Sequence, residues 1–397
     1  MLDPIIAFFT RVFEYLGRAV GHLIAWLLWP FLALGRWYTR KGWILKTVVG
    51  GLIVGLIAFY GYFIFQTQYW ANFDPDYPKG YSFAKTATLA GDPLPAGSAT
   101  TQVATETNTA PETNAASAGS VALGSQQTAQ AGAPAGGGAC HSSDIVTVAA
   151  DLVDFNVNQN RWISSMLASK LGFFGIPWKN TPFLDNKAAF QLGINQVLRR
   201  TTTELVDTLG RVRGTSQIDQ NLQDARTALA YPEDTWYIST RGPVQATPSR
   251  YRQALGHLRA FNEDLGACQA SFDARADNMM QFLDRVAGDI GSTSDILRSR
   301  IEQSNAGWFD PRADDRFWFA YGQLYAYYGV LQGARSDFAA IIQERNLAAL
   351  WDRMQEQLRS ALNMQPLIVS NGQEASFIFP SHLATMGFYL LRVRSNL

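Results

Sequence analysis

The longest hydrophobic stretch of the chain runs from Trp43 to Phe65. It reads WILKTVVGGLIVGLIAFYGYFIF, and its single charged residue, Lys46, lies near the start. A helix needs about 20 mostly apolar residues to cross a bilayer. Trp43 and Tyr60 stand near the ends of the stretch, where amphipathic rings concentrate. The pattern predicts a transmembrane helix over residues 43–65.

A shorter apolar stretch, residues 19–34, precedes it. It reads AVGHLIAWLLWPFLAL and contains His22 and Pro30. This segment is either an amphipathic helix that lies in the membrane interface with Trp26 and Trp29 as anchors, or a first span that forms a hairpin with the main one. Both interpretations leave the rest of the chain on the same side of the membrane.

Helical periodicity dominates the chain from residue 144 onward. Sustained steps of three and four between apolar residues are typical of helices that pack nearly antiparallel. The segments with this spacing are Phe190–Leu209, Tyr251–Ile290, Phe317–Ile342 and Leu347–Leu362. We expect the second segment to be one long helix that is interrupted at Gly291 and Ser292, after which the helical spacing continues from Ile296 to Ile301.

A turn signal follows the last of these segments. Asn371 and Gly372 stand between two short apolar runs, and Asn-Gly is favoured in the two-residue turns of hairpins. The predicted fold class is therefore mostly α. It comprises an N-terminal transmembrane helix, a disordered linker, and an extracytoplasmic antiparallel helical bundle with a small C-terminal β-hairpin.

The composition changes abruptly at residue 91. From there to residue 138 the chain is rich in Ala, Gly, Thr and Ser and has no aromatic residue. Such a tract cannot bury enough apolar surface to offset its ordering entropy, which predicts a flexible linker. The predicted organisation is a basic amphipathic cytoplasmic or interfacial segment (1–42), a transmembrane helix (43–65), an aromatic outer juxtamembrane collar (66–90), a low-complexity linker (91–143) and a helical extracytoplasmic domain (144–397).

The distribution of charge predicts the orientation. Basic residues outnumber acidic ones before the hydrophobic stretch, whereas Asp74 and Asp76 follow it. Lys and Arg accumulate on the cytoplasmic side of membrane spans. We therefore expect the N-terminus in the cytoplasm and the bulk of the chain outside, in the periplasm if the host is a Gram-negative bacterium.

The overall composition excludes several classes of function. The 33 basic and 33 acidic residues balance, which gives no reason to expect a nucleic-acid partner. With 2 cysteines and 4 histidines, a Cys/His-rich metal site cannot be built. The sequence contains no nucleophile elbow, P-loop, GxGxxG or HExxH motif, and we expect no cofactor.

Two groups of residues are nevertheless candidates for binding a ligand. The segment 308–328 is dense in aromatic residues, which line many small-molecule sites but also fill cores. Asp273 and Asp277 lie one helical turn apart, as two carboxylates do for acid–base work or for a cation, and also in surface ion pairs. The candidate ligand-binding residues are Trp308, Phe309, Trp318, Tyr321, Tyr325, Asp273 and Asp277.

Three local features complete the picture. Residues 171–178 read LGFFGIPW, which fits either a hydrophobic plug or a loop that contacts the membrane. Gly51 and Gly55 form a small-xxx-small pair of the kind that lets membrane helices dimerise. Cys140 and Cys268 either form a disulfide, which would persist in an oxidising compartment, or stay apart, with Cys268 a buried apolar residue and Cys140 a free thiol.

Four phrases of the sequence resemble a known family. They are NRWISSMLASKLGFFGIPW (160–178), DNKAAFQLGINQVLRRT (185–201), GRVRGTSQID (210–219) and FDARADN (272–278). The family consists of uncharacterised proteobacterial inner-membrane proteins and is catalogued as a domain of unknown function. The resemblance implies a single anchor in the bacterial inner (cytoplasmic) membrane, with the bulk of the chain on the periplasmic side, and it assigns no role to any residue.

The leading hypothesis is a non-enzymatic envelope protein whose helical domain binds or scaffolds another envelope component. Its expected partners are the lipid bilayer and either an envelope protein or a second copy of the chain. The alternative is an enzyme or carrier that acts on a lipid or glycan through segment 308–328 and the Asp273/Asp277 pair.

Overall fold

The structure is a computed structural model of the full chain. It describes residues 42–83, 140–181, 183–211, 217–239, 242–303, 310, 312–372 and 380–397, together with scattered residues between 15 and 40. The chain divides into two compact units, residues 1–65 and 66–397. The predicted linker falls almost entirely on residues 84–139, which lie outside the described part of the chain.

The predicted apolar helix is present as α1 (Trp43–Gln68). Among the described residues it is the one helix that is long and apolar enough to cross a membrane. Most of its side chains are exposed, as expected for a helix that meets lipid rather than a protein core. The described residues between 15 and 39 are also helical, which fits both interpretations of segment 19–34.

The second unit is built mainly from helices. In chain order they are α2 (Asp144–Asp154, extended by a π-helical turn, Phe155–Gln159), α3 (Leu167–Leu171), α4 (Asn186–Glu204, extended by a π-helical turn, Leu205–Leu209), α5 (Gln220–Leu229), α6 (Thr247–Gly266), α7 (Ala276–Gln303), α8 (Ala313–Asp337), α9 (Ala339–Glu344), α10 (Ala348–Leu362) and α11 (His382–Arg394). The mostly α fold is therefore confirmed.

Helices α4 and α8 form the centre of this unit. Nearly every side chain of α8 is buried, and the two helices approach each other at paired glycines. A Cβ atom at Gly193 would meet the backbone of Phe319 and Gln323, and one at Gly322 would meet the backbone of Phe190. The absence of side chains at both positions lets the two backbones touch.

The segment that follows the apolar helix is part of the core of this unit. The described part of the predicted 66–90 collar is residues 66–83, and from here on the name collar refers to these residues. In the collar, Trp70 packs on Phe190 with ring centroids 4.9 Å apart. Tyr77 stacks on Tyr325 at 4.5 Å, and its ring occupies the space that a side chain at Gly329 would need. The collar thus packs against α4 and α8 along its length.

Polar contacts fix both ends of the collar. The Lys187 side chain is buried and donates hydrogen bonds to the carbonyl oxygens of Gln66, at 3.1 Å, and Tyr69, at 2.6 Å. Near the other end, Arg359 donates to the Asp76 carboxylate at 2.9 Å, and this hydrogen bond lowers the pKa of Asp76. Residues 66–83 therefore belong to the fold of the second unit.

The predicted long helix from Tyr251 to Ile290 is wrong in one respect. The chain breaks between α6 and α7, at residues 267–275, where Cys268 has a φ of 59°. No proline marks this break, and it is stabilised by a hydrogen bond from the backbone N–H of Asp273 to the carbonyl of Leu209, at 2.7 Å. Gly291, the expected interruption, lies inside α7, where the guanidinium of Arg394 covers it.

A small antiparallel sheet pairs β1 (Ile238–Ser239) with β2 (Gly242–Pro243). The predicted hairpin at Asn371 has its second strand within residues 373–379, which lie outside the described residues. On the described side, Asn371 forms an isolated antiparallel bridge with Ser381. This bridge leads the chain into α11.

Candidate functional site

The aromatic residues predicted to bind a ligand lie in the core. Trp318, Tyr321 and Tyr325 are buried on α8, where the collar covers them: Phe73, for example, stacks on Tyr325 with ring centroids 5.7 Å apart. Tyr325 also borders a cavity of about 410 Å³ that is closed on one side by Tyr77. Residues 308 and 309 lie outside the described residues.

The two predicted carboxylates share one arginine. The guanidinium of Arg275 lies 3.2 Å from Asp273 and 3.0 Å from Asp277. Asp273 is buried in the break before α7, and the Asn278 side chain donates to its backbone carbonyl at 2.9 Å. This arrangement is an ion-pair network that stabilises the break, and within the described residues no group of three or more His, Cys, Asp or Glu residues is arranged to hold a metal ion.

A different group of carboxylates faces a pocket. This pocket, which we call the Asp185 pocket, has a volume of about 470 Å³. That volume is within the range of small-molecule sites. It lies where the start of α4 meets the start of α8 and the segment around α3. Its lining residues are Ser164, Ser169, Lys170, Pro177, Trp178, Lys179, Asp185, Ala188, Ala189, Leu192, Asp234, Asp315, Arg316 and Phe319.

Two helix starts bring the acidic residues together. Asp185 immediately precedes α4, whereas Asp314 and Asp315 lie in the first turn of α8. Once the Asn186 side-chain amide is oriented to satisfy both of its atoms, it donates to Asp314 at 3.2 Å and accepts from the indole N–H of Trp318 at 3.1 Å. The two helices are thereby locked together beside the pocket.

Burial sets the protonation of these acids. Burial, together with the neighbouring charges of Asp315 and Asp314, raises the pKa of Asp185 to about 9. Burial likewise raises the pKa of Asp314 to about 7 and that of Asp315 above its ordinary value. Asp185 is therefore protonated at neutral pH, because a buried carboxyl beside other acids disfavours the charged form.

Asp185 and Asp315 share a hydrogen bond through their side chains. The exposed fraction of Asp185 is 6%. Because Asp185 is the protonated member of the pair, its carboxyl donates and Asp315 accepts. The described structure supplies no further donor to the Asp185 side chain, so its remaining lone pairs can accept from a hydroxyl or an amine that enters the pocket.

The rim of the pocket is basic and aromatic. Lys170 pairs with Asp234 at 3.0 Å, while Lys179 and Arg316 are exposed. The Trp178 ring is buried in the wall, where its indole N–H donates to the carbonyl of Ala168 at 2.7 Å. A ligand with a negative group near the rim and a hydroxyl or amine inside fits this distribution of charge.

A tight apolar turn adjoins the wall of the pocket. Residues 171–176, which we call the apolar loop, are held by two backbone hydrogen bonds between Phe173 and Ile176, at 2.8 and 3.1 Å. Gly172 and Gly175 have φ values of 64° and 90°, which glycine adopts without strain. Leu171, Phe174 and Ile176 are exposed, so the loop presents apolar side chains at the surface.

Sequence reasoning did not find the acids of the pocket. The available signal was Asp314-Asp315 within the aromatic segment, with Asp185 before a periodic run. Acidic residues are common at helix starts, where they cap the backbone or complement the helix dipole. A local pattern therefore does not distinguish these carboxyls from ordinary caps.

The remaining predicted site residues have defined places. A Cβ atom on Gly51 or Gly55 would meet no atom of the described chain within 4 Å, so this face of α1 is open to a second helix. The Sγ atoms of Cys140 and Cys268 lie 2.06 Å apart in a disulfide, with Cα atoms 5.5 Å apart. This bond joins the residues before α2 to the break after α6.

Comparison with known proteins gives one family. Residues 178–308 match the model of a family described as an uncharacterized protein conserved in bacteria, DUF2333. The curated proteins and the solved structures contain no match to the chain. The matched range includes Asp185 and Lys187 and ends before Asp314. Over residues 178–308 the predicted resemblance is thus confirmed: this part of the chain is similar to a bacterial family whose function is unknown.

Proposed function

We propose that the protein is a membrane-anchored envelope protein. In this proposal α1 crosses the inner membrane of a bacterium, with its basic flank in the cytoplasm and residues 66–397 in the periplasm. The apolar composition of α1 and the charge asymmetry around it support this orientation. The disulfide between Cys140 and Cys268 is consistent with an oxidising compartment.

We further propose that the helical domain binds another envelope component in the Asp185 pocket. The observation that carries this proposal is Asp185 itself, a buried carboxyl that shares a hydrogen bond with Asp315 and lines an open pocket of about 470 Å³. The remaining lone pairs of the Asp185 carboxyl have no donor in the described structure. A ligand hydroxyl or amine that enters the pocket can donate to them.

The orientation is tested by a pair of fusions after Leu397. A reporter that works only outside the cytoplasm should be active, and one that works only in the cytoplasm should be silent. The opposite pattern would overturn the localisation without bearing on the pocket.

The binding site is tested by photo-crosslinking in living cells. A photoreactive amino acid at Lys179, on the pocket rim, should give an adduct whose mass identifies a protein, a lipid or a glycan. Arg353, an exposed basic residue on α10, provides the matched control and should not give that adduct. The same adducts at both positions, or none at Lys179, would contradict the proposal.

A second function is favoured by the same carboxyls. Asp185 is protonated at neutral pH and Asp315 lies beside it in the pocket, which is the arrangement of a general acid with a neighbouring base. If the domain is an enzyme, Asp185→Asn should accumulate an unreacted substrate that differs in mass from the species bound to the wild type. The same bound species in both proteins would favour binding without turnover.

A further inference from the structure

The apolar loop is an ordered turn whose apolar side chains face the surface. The Phe173 and Ile176 backbones pair with each other, and the Phe173 ring packs on Trp178 at 5.9 Å between centroids. This anchoring turns Phe174, at the tip, outward with an exposed fraction of 71%. Exposed apolar patches on an ordered surface generally mark sites that contact a membrane or another protein.

The loop belongs to the region where the chain enters the second unit. The segment that follows it is hydrogen-bonded to the end of α1, because the Gln68 side chain donates to the carbonyl of Phe183 at 2.8 Å. Four residues further on, Lys187 binds the carbonyls of Gln66 and Tyr69. Gln66 directly follows the apolar run that ends at Phe65, so these contacts tie the segment after the loop to the residues at which a membrane-spanning α1 would leave the lipid.

The charges beside the loop fit a lipid surface. Lys170 precedes the loop and Lys179 follows it, and Lys179 is exposed. Apolar side chains flanked by basic residues are typical of segments that sit at the boundary between acyl chains and anionic headgroups. Phe183, also exposed, adds a further apolar side chain on the same segment.

We propose that the apolar loop, residues 171–176, inserts its side chains into the outer leaflet of the membrane that α1 crosses. This inference rests on the proposed membrane anchor. The loop continues directly into Pro177 and Trp178, which form part of the wall of the Asp185 pocket. Insertion of the loop therefore brings that pocket to the level of the lipid headgroups.

The test uses the full chain reconstituted in vesicles of phosphatidylethanolamine and phosphatidylglycerol. Phe174→Cys is labelled with an environment-sensitive fluorophore without reductant, so that the disulfide-bonded Cys140 and Cys268 do not react. Phe388→Cys, on α11, is the matched control, because Phe388 is an exposed phenylalanine with an exposed fraction of 55%. Ile57→Cys, within α1, reports whether the anchor itself is in the bilayer.

Lipids with a nitroxide near the headgroup should quench the label at position 174 at least about threefold more strongly than the label at position 388. Aqueous iodide should show the reverse order. Equal quenching of positions 174 and 388, with position 57 quenched by lipid, would overturn the loop proposal and leave the anchor intact. Absence of lipid quenching at position 57 would overturn both.

A second labelled site distinguishes insertion of the whole loop from contact of its tip alone. Ile176→Cys lies in the extended arm of the loop rather than at its tip, and Ile176 is also exposed. Quenching of both 174 and 176 by the shallow nitroxide is the expected result. If 176 behaves like 388 while 174 is quenched, the proposal of an inserted loop is wrong, because only the tip would then touch lipid.

Discussion

The ammonium group of Lys187 lies 2.6 Å from the carbonyl oxygen of Tyr69, and it also binds the carbonyl of Gln66. The last carbonyls of a helix lack partners within the helix, so a hydrogen-bond donor placed there satisfies them. Lys187 thus caps α1 from a different helix, α4. The exposed fraction of Lys187 is 2%, and burial lowers the pKa of its side chain to about 8.

Lys187→Met should lower the free energy of unfolding of the second unit by about 2 kcal/mol, because the carbonyl oxygens of Gln66 and Tyr69 lose their hydrogen-bond donor. Chemical denaturation in detergent, with Lys179→Met as an exposed control, measures this change.

The effect of Lys187 should also depend on pH. The pKa of Lys187 is about 8 in the folded protein, compared with an ordinary value of 10.5. The unfolded chain therefore binds more protons between these values, and the difference between wild type and variant should grow as the pH rises from 8 toward 10. A variant as stable as the control would contradict the role of Lys187 as a cap.

Gly322→Ala should destabilise the domain by roughly 1–3 kcal/mol, because the added methyl group meets the backbone of Phe190, which cannot rotate away as a side chain can. The control is Gly288→Ala, also within a helix, where the added Cβ meets no atom within 4 Å. Alanine there should stabilise by about 0.5–1 kcal/mol, since glycine lowers helix stability. Thermal melting separates the two variants by the sign of the shift.

Asp185→Asn should make the folding stability of the protein less dependent on pH. The folded-state pKa of Asp185, about 9, lies above the ordinary 3.8, so the folded protein binds more protons between these values. Its stability therefore falls as the pH rises through that window. The variant should lose less stability than the wild type between pH 5 and pH 8, and Asp352→Asn, at an exposed position, should behave like the wild type. Identical pH profiles for all three proteins would show that Asp185 is not buried as described.

Reduction of the bond between Cys140 and Cys268 should destabilise the domain. The two residues are 128 apart in sequence, and the chain-entropy model gives an upper value of about 4–5 kcal/mol for a loop of that length. Alkylation of the denatured protein with and without prior reduction checks the bond, and melting with and without reductant measures its effect. Two thiols that are alkylated before reduction would rule the bond out.

Gly51→Ile combined with Gly55→Ile should weaken self-association of α1 if this open face mediates helix pairing. The control is Gly61→Ile, where an added Cβ also meets no atom within 4 Å but which lies on a different face of the helix. A genetic reporter of transmembrane-helix association compares the variants. Equal association in all of them would leave the glycines without a role in dimerisation.

The features that could be predicted from the sequence are those that produce a regular local spacing of apolar residues. The apolar run of α1 and the steps of three and four in α8 identify helices because each helix must bury one face or meet lipid. The break at Cys268 was missed because the apolar spacing continues across it. It is stabilised by a hydrogen bond to Leu209, a residue far away in sequence.

The collar and the pocket escaped sequence reasoning for a related reason. Aromatic residues such as Trp70 and Tyr77 are enriched both at membrane interfaces and in cores, so their type does not say which of the two they occupy. Asp185 and Asp315 come together only because α4 and α8 cross at Gly193 and Gly322. The sequence near either carboxyl does not predict that these two helices cross.

The packing of the collar changes what the low-complexity tract connects. Phe83, at the end of the collar, and Cys140 both belong to the same compact unit, so residues 84–139 are an insertion within the sequence of that unit. The tract therefore does not link the apolar helix to the helical domain, and a change in its length alters a loop within one unit rather than a connection between two.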